Sequence, residues 1–406
     1  MNIAFVHPSW PGDEGTGATH TATQIVAGLA ESGHDLTVYC VEEHPADVTA
    51  ASTACTLRTL PQNAIPHTYT RYNRSIRAAV DNLATHDIVH SYIPATAPAL
   101  AAIGDRTAAC TVLTLNAYAG VCPKNDLLYL DTDHCDDNST RRCLRCLVQT
   151  SPGHDDFSIP YRLASRVGNL RLVRQAARRI EHIDAFRAPS AHVRDNYVEL
   201  GYPASAIHVI PHPVDEAFAV SHTSDFQEPY RLLYVGSLSK HKGVEKLVPL
   251  VASLQSEPER FTLTIVGTGG LSSDIEAQIA DYGVSDRVEL RGFVPNEQLP
   301  SVYAAHDCFV YPGIWEEPLA RVYLEALASG TPIVTSTFGS IENVVGEAGR
   351  LTDGSVDDFS ATLLEATRTG QLEAMSAAAR NRAEDFSLAT VVSDIESLYE
   401  TLLEGH

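Results

Sequence analysis

The chain has 406 residues, a length that points to two or three domains and rules out a single small binding module. It carries 29 Lys+Arg against 51 Asp+Glu, and the field of a net charge of -22 argues against a general nucleic-acid binder. With 44% hydrophobic residues, the acid belongs to the surface of a globular chain and does not imply disorder.

No stretch reaches the roughly 20 apolar residues of a membrane span. Met1-Asn2 leads straight into Ile3-Ala4-Phe5-Val6, which reads as a first buried strand and not as a signal peptide, so a reducing cytoplasm is expected. The loop Pro11-Gly12-Asp13-Glu14-Gly15-Thr16-Gly17 follows. A helical pattern then places Ile25, Val26, Leu29 and Ala30 on one face, Gly33 stops it, and Leu36-Thr37-Val38-Tyr39 completes a βαβ unit. Further strands fall at Ile88-Val89-His90 and at Thr111 to Leu115. The stretch Ile207 to Asp215, stiffened by Pro211 and Pro213, and the polar segment Ser221 to Pro229 mark a boundary.

A second βα series has strands at Arg231 to Gly236, Leu263 to Gly267, Val288 to Gly292, Cys308 to Tyr311 and Pro332 to Thr335. The expected fold is α/β, with two doubly wound, Rossmann-like parallel sheets facing across a cleft and ligands at the carboxyl ends of the strands. The domains are expected at 1–215, 216–384 and 385–406, the last a helix packing back on the first domain.

The segment Tyr311 to Pro332 carries most of the chemistry. Pro318 suits a first helical position with Glu317 as N-cap, and Gly330 closes the helix. The N–H groups of Leu319, Ala320 and Arg321 would then face an anionic ligand. Glu325 lies eight residues beyond Glu317, about 12 Å along a helix axis. That separation lets one carboxylate hold a sugar and the other a ribose; taken alone, the pair equally fits two plain surface carboxylates of a capped helix. Gly236-Ser237 and Lys242-Gly243 follow the first strand of this domain and offer a diphosphate an ammonium. Gly267-Thr268-Gly269-Gly270 adds a turn that lets backbone approach a nucleotide.

On Glu317-x7-Glu325 with the following Ala328-Ser329-Gly330-Thr331-Pro332, the chain resembles the retaining glycosyltransferases of family four, which have the GT-B fold. The resemblance runs from Ile3 to Arg382-Ala383-Glu384-Asp385-Phe386-Ser387. It implies a nucleotide diphosphate sugar donor and a glycan, polysaccharide or lipid-linked acceptor. Glu317 would bind donor-sugar hydroxyls, Glu325 the ribose and Lys242 the diphosphate; Gly15 and Gly17 would approach the phosphates, and Gly292-Phe293 would frame the base. It further implies front-face attack without a protein nucleophile or catalytic metal. Three departures stand out: Ser237 where the family usually has Arg, Asn116 where many relatives have His, and Ala320 for a common Gly. Phosphate binding would then lean on Lys242 or recruit Arg321. Lys242, Glu317 and Asn116 are the residues expected nearest the chemistry.

Cys122, Cys135, Cys143 and Cys146 fall within an insertion at 122–160, and Cys143-x2-Cys146 has the bite of a metal knuckle. Two readings stay open: a structural metal, zinc before an iron-sulfur cluster, or core thiols without metal. From Arg141 to Arg187 ten arginines face only Asp155, Asp156, Glu181 and Asp184, which fits peripheral contact with an anionic membrane, a phosphorylated lipid acceptor, or a solvated face paired within the fold. Lys124, Lys240, Lys242 and Lys246 are the only lysines, and this acidic, lysine-poor surface resembles those of proteins from salt-loving organisms, with an ordinary acidic cytosolic protein as the other reading. The alternatives are a zinc-containing nucleic-acid module, resting on the cysteines and arginines, and a nicotinamide-dependent oxidoreductase, opposed by His20 where the third fingerprint glycine would stand.

Overall fold

The computed structural model describes residues 1–10, 17–42, 55–150, 159–254, 260–368 and 370–405. The chain divides into two units, Met1–His212 with Val391–His406, and Pro213–Thr390. Both are α/β, each built on a parallel sheet, and the fold is GT-B.

The first unit contains β1 (Asn2–His7), β2 (Asp35–Cys40), β3 (Thr56–Thr59), β4 (Ile88–Ser91), β5 (Cys110–Thr114), the short antiparallel pair β6 (Leu128–Tyr129) and β7 (Asp133–His134), β8 (Ala185–Ala188) and β9 (Ile207–Val209). Its parallel sheet has the order β3-β2-β1-β4-β5-β8-β9. The apolar run of β1 is buried on both faces, as a central parallel strand requires. In the helix Gly17–Glu31, Ala22, Ile25, Val26 and Leu29 share the buried stripe. The helix Leu388–Gly405 buries Val391, Ile395, Leu398 and Tyr399; the Tyr399 hydroxyl meets His90 Nδ1 at 2.5 Å, and Glu396 pairs with His34 at 2.7 Å.

The second unit has β10 (Tyr230–Val235), β11 (Phe261–Val266), β12 (Val288–Gly292), β13 (Cys308–Tyr311), β14 (Ile333–Ser336) and β15 (Gly349–Thr352), ordered β12-β11-β10-β13-β14-β15 and all parallel. In both sheets the chain reverses its direction of travel beside the first strand, between β1 and β4 and between β10 and β13. That topology leaves a crevice at the carboxyl ends of those strands.

The structure adds strands that the sequence pattern did not show. Ile207–Val209 is an edge strand of the first sheet and not part of a linker. Ala185–Ala188 carries a cation in mid-strand, which hides the apolar signal. Arg187 is fully buried there, and its guanidinium donates to the Pro211 carbonyl.

Candidate active site

In the second unit the crevice beside β10 and β13 brings two distant loops together. After β10, residues Lys240–Lys242 form a single 3-10 turn closed by Gly243 in the left-handed region, at φ +68°. A Cβ at Gly243 would come within 1.8 Å of the Pro312 carbonyl oxygen, so only glycine lets this turn lie on the loop that follows β13. The Ile314 N–H donates to the His241 carbonyl at 3.0 Å and closes the junction. Lys242 Nζ therefore reaches Glu317 Oε2 and donates to it. The same ammonium lies 5.6 Å from the Tyr311 ring centroid and 5.5 Å from that of Trp315. From the other side, Gly339 packs on the Glu317 backbone and the Ser340 N–H donates to the Glu317 carbonyl at 3.3 Å.

These contacts correct the expected helix start. The helix is Arg321–Ala328, preceded by Ala320 in an extended conformation at φ -76° and ψ 127°. Glu317 is not its N-cap. The salt bridge to Lys242 and the hydrogen bond to Ser340 hold Glu317 and Pro318 in a loop, a tertiary constraint that overrides the local preference of Pro for a first helical position. Leu319 and Ala320 precede the helix and are buried, and the axial spacing expected of Glu317 and Glu325 on one helix does not apply.

Glu325 is 6% exposed. Its carboxylate accepts from the Tyr303 hydroxyl at 3.0 Å and lies 3.7 Å from Arg321 Nε. Burial, followed by the charge of Glu325, drives the Tyr303 hydroxyl well above the usual phenol range, which keeps it a donor. Arg321 Nη2 is buried without a hydrogen-bond partner among the described residues.

The glycine turns meet at the ends of β10, β11 and β12. The Gly236 N–H donates to the Val266 carbonyl at 3.0 Å and the Gly267 N–H to the Gly292 carbonyl at 2.8 Å. Ser237 bonds Ser239 through their hydroxyls at 3.1 Å, and Phe293 is 75% exposed at the end of β12.

In the first unit, Asn116 follows β5 and lines a cavity of about 460 Å³ at the carboxyl ends of β1 and β4. Its carboxamide has no partner among the described residues. Gly17 opens the helix Gly17–Glu31, whereas Gly15 lies outside the described residues. The same cavity holds His7, a residue the sequence reasoning passed over although it ends the first strand. Its Nδ1 faces the Ser9 carbonyl at 2.5 Å, and burial lowers its pKa to about 4. The neutral ring thus donates from Nδ1 and keeps an acceptor at Nε2. Tyr303, Trp315 and His241 were also missed, because their partners lie far away in sequence.

The four clustered cysteines surround the β6–β7 hairpin and the helix Thr140–Gln149. Among the described residues no group of three or more His, Cys, Asp or Glu is placed to hold a metal ion. Instead each thiol meets a local oxygen: Cys122 at Asp126 Oδ1 (3.7 Å), Cys135 at the Asp137 carbonyl (3.5 Å), Cys143 at the Asn138 carbonyl (3.3 Å) and Cys146 at the Leu128 carbonyl (3.8 Å). Burial pushes the pKa of Cys122 up to about 11 and that of Cys143 up to about 12.

A two-sheet GT-B architecture with a Lys–Glu pair at the second crevice defines a glycosyltransferase-like protein. The model of Glycosyltransferase Family 4 matches residues 15–218, and that of Glycosyl transferases group 1 matches residues 220–382. The chain belongs to this glycosyltransferase family. Among curated relatives it is 31% identical over 160 residues to the 2-deoxystreptamine glucosyltransferase of Streptomyces kanamyceticus, covering 37% of this chain and 41% of that protein. It is likewise 31% identical over 174 residues to the O-antigen chain mannosyltransferase B of Escherichia coli, covering 42% and 45%. The matches thus span less than half the length of these relatives. Two solved structures share the fold at 18% identity: HepE of Anabaena in complex with UDP (TM-score 0.71, covering 99% and 100% of the two chains) and a sucrose-phosphate synthase from Thermosynechococcus elongatus (0.72, 100% and 100%).

Proposed function

We propose that this protein transfers a hexose from a nucleotide diphosphate sugar to a glycan, polysaccharide or lipid-linked acceptor with retained anomeric configuration. The observation that carries the reading is the Lys242–Glu317 pair at the carboxyl ends of β10 and β13. Lys242 would neutralise charge on the departing diphosphate, and Glu317 would accept from donor-sugar hydroxyls. Glu325, preset by Tyr303 and Arg321, would accept from the ribose, and the buried, unpaired Arg321 Nη2 supports a share for Arg321 in place of the guanidinium that Ser237 lacks. Structural neighbours crystallised with UDP and UDP-glucose support a nucleotide-sugar donor.

In this reading the bond from the anomeric carbon to the diphosphate oxygen breaks while the acceptor oxygen bonds the same face, and the acceptor proton leaves on the diphosphate. His7, held neutral and short of basicity, and Asn116 would orient the acceptor hydroxyl without removing its proton. No observation favours the nucleic-acid or nicotinamide readings. No described helix is long and apolar enough to cross a membrane, and a cytoplasmic location remains part of this proposal. So does a structural zinc on Cys122, Cys135, Cys143 and Cys146, whose thiols would have to draw closer together to ligate it; the Leu130 N–H donated to Cys146 Sγ at 3.4 Å would stabilise that sulfur as a thiolate.

Nucleotides screened for thermal stabilisation identify the donor base, and NMR of the product reads its configuration. An inverted product rejects the mechanism, and a donor that is neither hydrolysed nor transferred rejects the function.

A further inference from the structure

The arginine-rich stretch separates into two sets. Arg142 pairs with Asp136 and stacks on Tyr129, Arg166 donates to the Leu147 and Thr150 carbonyls, and Arg187 is buried. Arg171, by contrast, is exposed and makes no ion pair among the described residues. It faces Arg74 and Arg77 across a cavity of about 910 Å³ between the helices Thr68–Ala78 and Ile159–Ala177. Among the described residues no Asp or Glu lines this cavity, and Ile65, Val167 and Leu172 give it an apolar side. Arg74 is likewise exposed and unpaired among the described residues, while Arg77 donates to the Pro98 carbonyl at 2.9 Å. Arg106 and Arg179 add further positive charge near Arg77. In a chain of net charge -22, three arginines gathered on one cavity with no described carboxylate among them make a local positive patch that suits an anionic occupant.

The cavity is continuous in its lining with the one that holds Asn116 and His7, because His67 lines both. His67 caps the helix Thr68–Ala78, accepting from the Thr70 N–H at 3.2 Å, and its other ring nitrogen meets Asn169 at 3.0 Å. Gly168 allows this closeness: a Cβ there would come within 2.8 Å of the imidazole.

We infer that the cavity lined by Arg74, Arg77 and Arg171 binds the phosphate of an acceptor that carries an apolar chain, with the acceptor's reacting end in the neighbouring cavity of His7 and Asn116. The inference rests on the glycosyltransferase reading and narrows its acceptor to a lipid-linked phosphate. Guanidinium groups take the phosphate oxygens, and the apolar side takes the first carbons of the chain.

The test uses the full chain with farnesyl phosphate, farnesol and inorganic phosphate as probes, and the Arg74→Gln/Arg171→Gln variant, whose exposed positions leave the fold intact. Wild type should bind farnesyl phosphate at least about tenfold more tightly than either other probe, and the variant should lose about tenfold or more, the scale of lost charge-assisted hydrogen bonds. Donor hydrolysis without acceptor should be unchanged. Equal affinity of the variant and wild type, or of farnesol and farnesyl phosphate, overturns the assignment. Flotation with phosphatidylglycerol or phosphatidylcholine vesicles separates the two phosphate sources: a variant that keeps farnesyl phosphate but no longer floats makes the cavity a headgroup contact and also overturns it. A wild type that binds farnesyl phosphate but processes no sugar nucleotide fails the glycosyltransferase reading alone.

Discussion

Lys242 and Glu317, 75 positions apart, form one buried-edge ion pair in which the ammonium donates to the carboxylate, with side-chain exposures of 17% and 15%. The pair holds the two groups in place before any ligand arrives, so little reorganisation is left for the donor diphosphate to induce. Replacing Lys242 by Ala should cost roughly 2.7 to 4 kcal/mol of transition-state stabilisation, about 10² to 10³ in kcat, on the scale of one lost preorganised donor. Glu317→Ala should also impair donor turnover. Turnover at the wild-type rate in either variant would falsify the site assignment.

Gly243→Ala tests the scaffold beneath that pair. The added methyl meets the Pro312 carbonyl at 1.8 Å and the backbone is already left-handed, so the turn must move. Donor turnover should drop with Lys242 chemically intact, and the variant should be less stable by roughly 1 to 3 kcal/mol. Unaltered kinetics and melting temperature would show that Lys242 does not depend on this close approach.

Acid should destabilise the first unit through two buried histidines. Burial lowers His7 to about 4 and His90 to about 3, whereas in the unfolded chain both titrate near 6.5. Between those values the unfolded state binds more protons, so stability is present above pH 6.5 and is lost as pH falls toward 4. Each histidine should contribute a slope of up to about 1.4 kcal/mol per pH unit within its window. Urea midpoints that stay flat between pH 6.5 and 5 would contradict the neutral, buried state of these rings.

Salt should strengthen the fold. With 51 acidic against 29 basic residues, screening of carboxylate repulsion raises stability as ionic strength increases. A melting temperature that falls monotonically with added sodium chloride would contradict this screening of carboxylate repulsion.

The proposed zinc predicts close to one equivalent of metal in protein purified without added metal, lost in Cys143→Ser/Cys146→Ser. That variant should lose acceptor-dependent transfer while still binding nucleotide, because its cysteines lie in the first unit and Lys242 and Glu317 in the second. Metal-free wild type with full activity would leave the four thiols as core residues, each bonded to its local oxygen.

The sequence by itself determined the class of fold, the strands of both crevices and the residue types of the donor motif. Central parallel strands must be continuously apolar, and Gly243 or Gly330 is dictated by backbone geometry that a single residue records. What it could not determine were features set by partners remote in sequence. The strands β3, β9 and β15 at the sheet edges and β8 beside one of them are three or four residues long, too short to show a period, and β8 hides a buried arginine. The helix expected from Pro318 begins instead at Arg321, because Glu317 is claimed by Lys242 and Ser340. Tyr303 beneath Glu325, His7 beside Asn116, and Arg74 opposite Arg171 are likewise products of packing. Local propensity can name a residue's preference, but only the folded chain brings up the neighbours whose charge, hydrogen bonds and burial decide what that residue does.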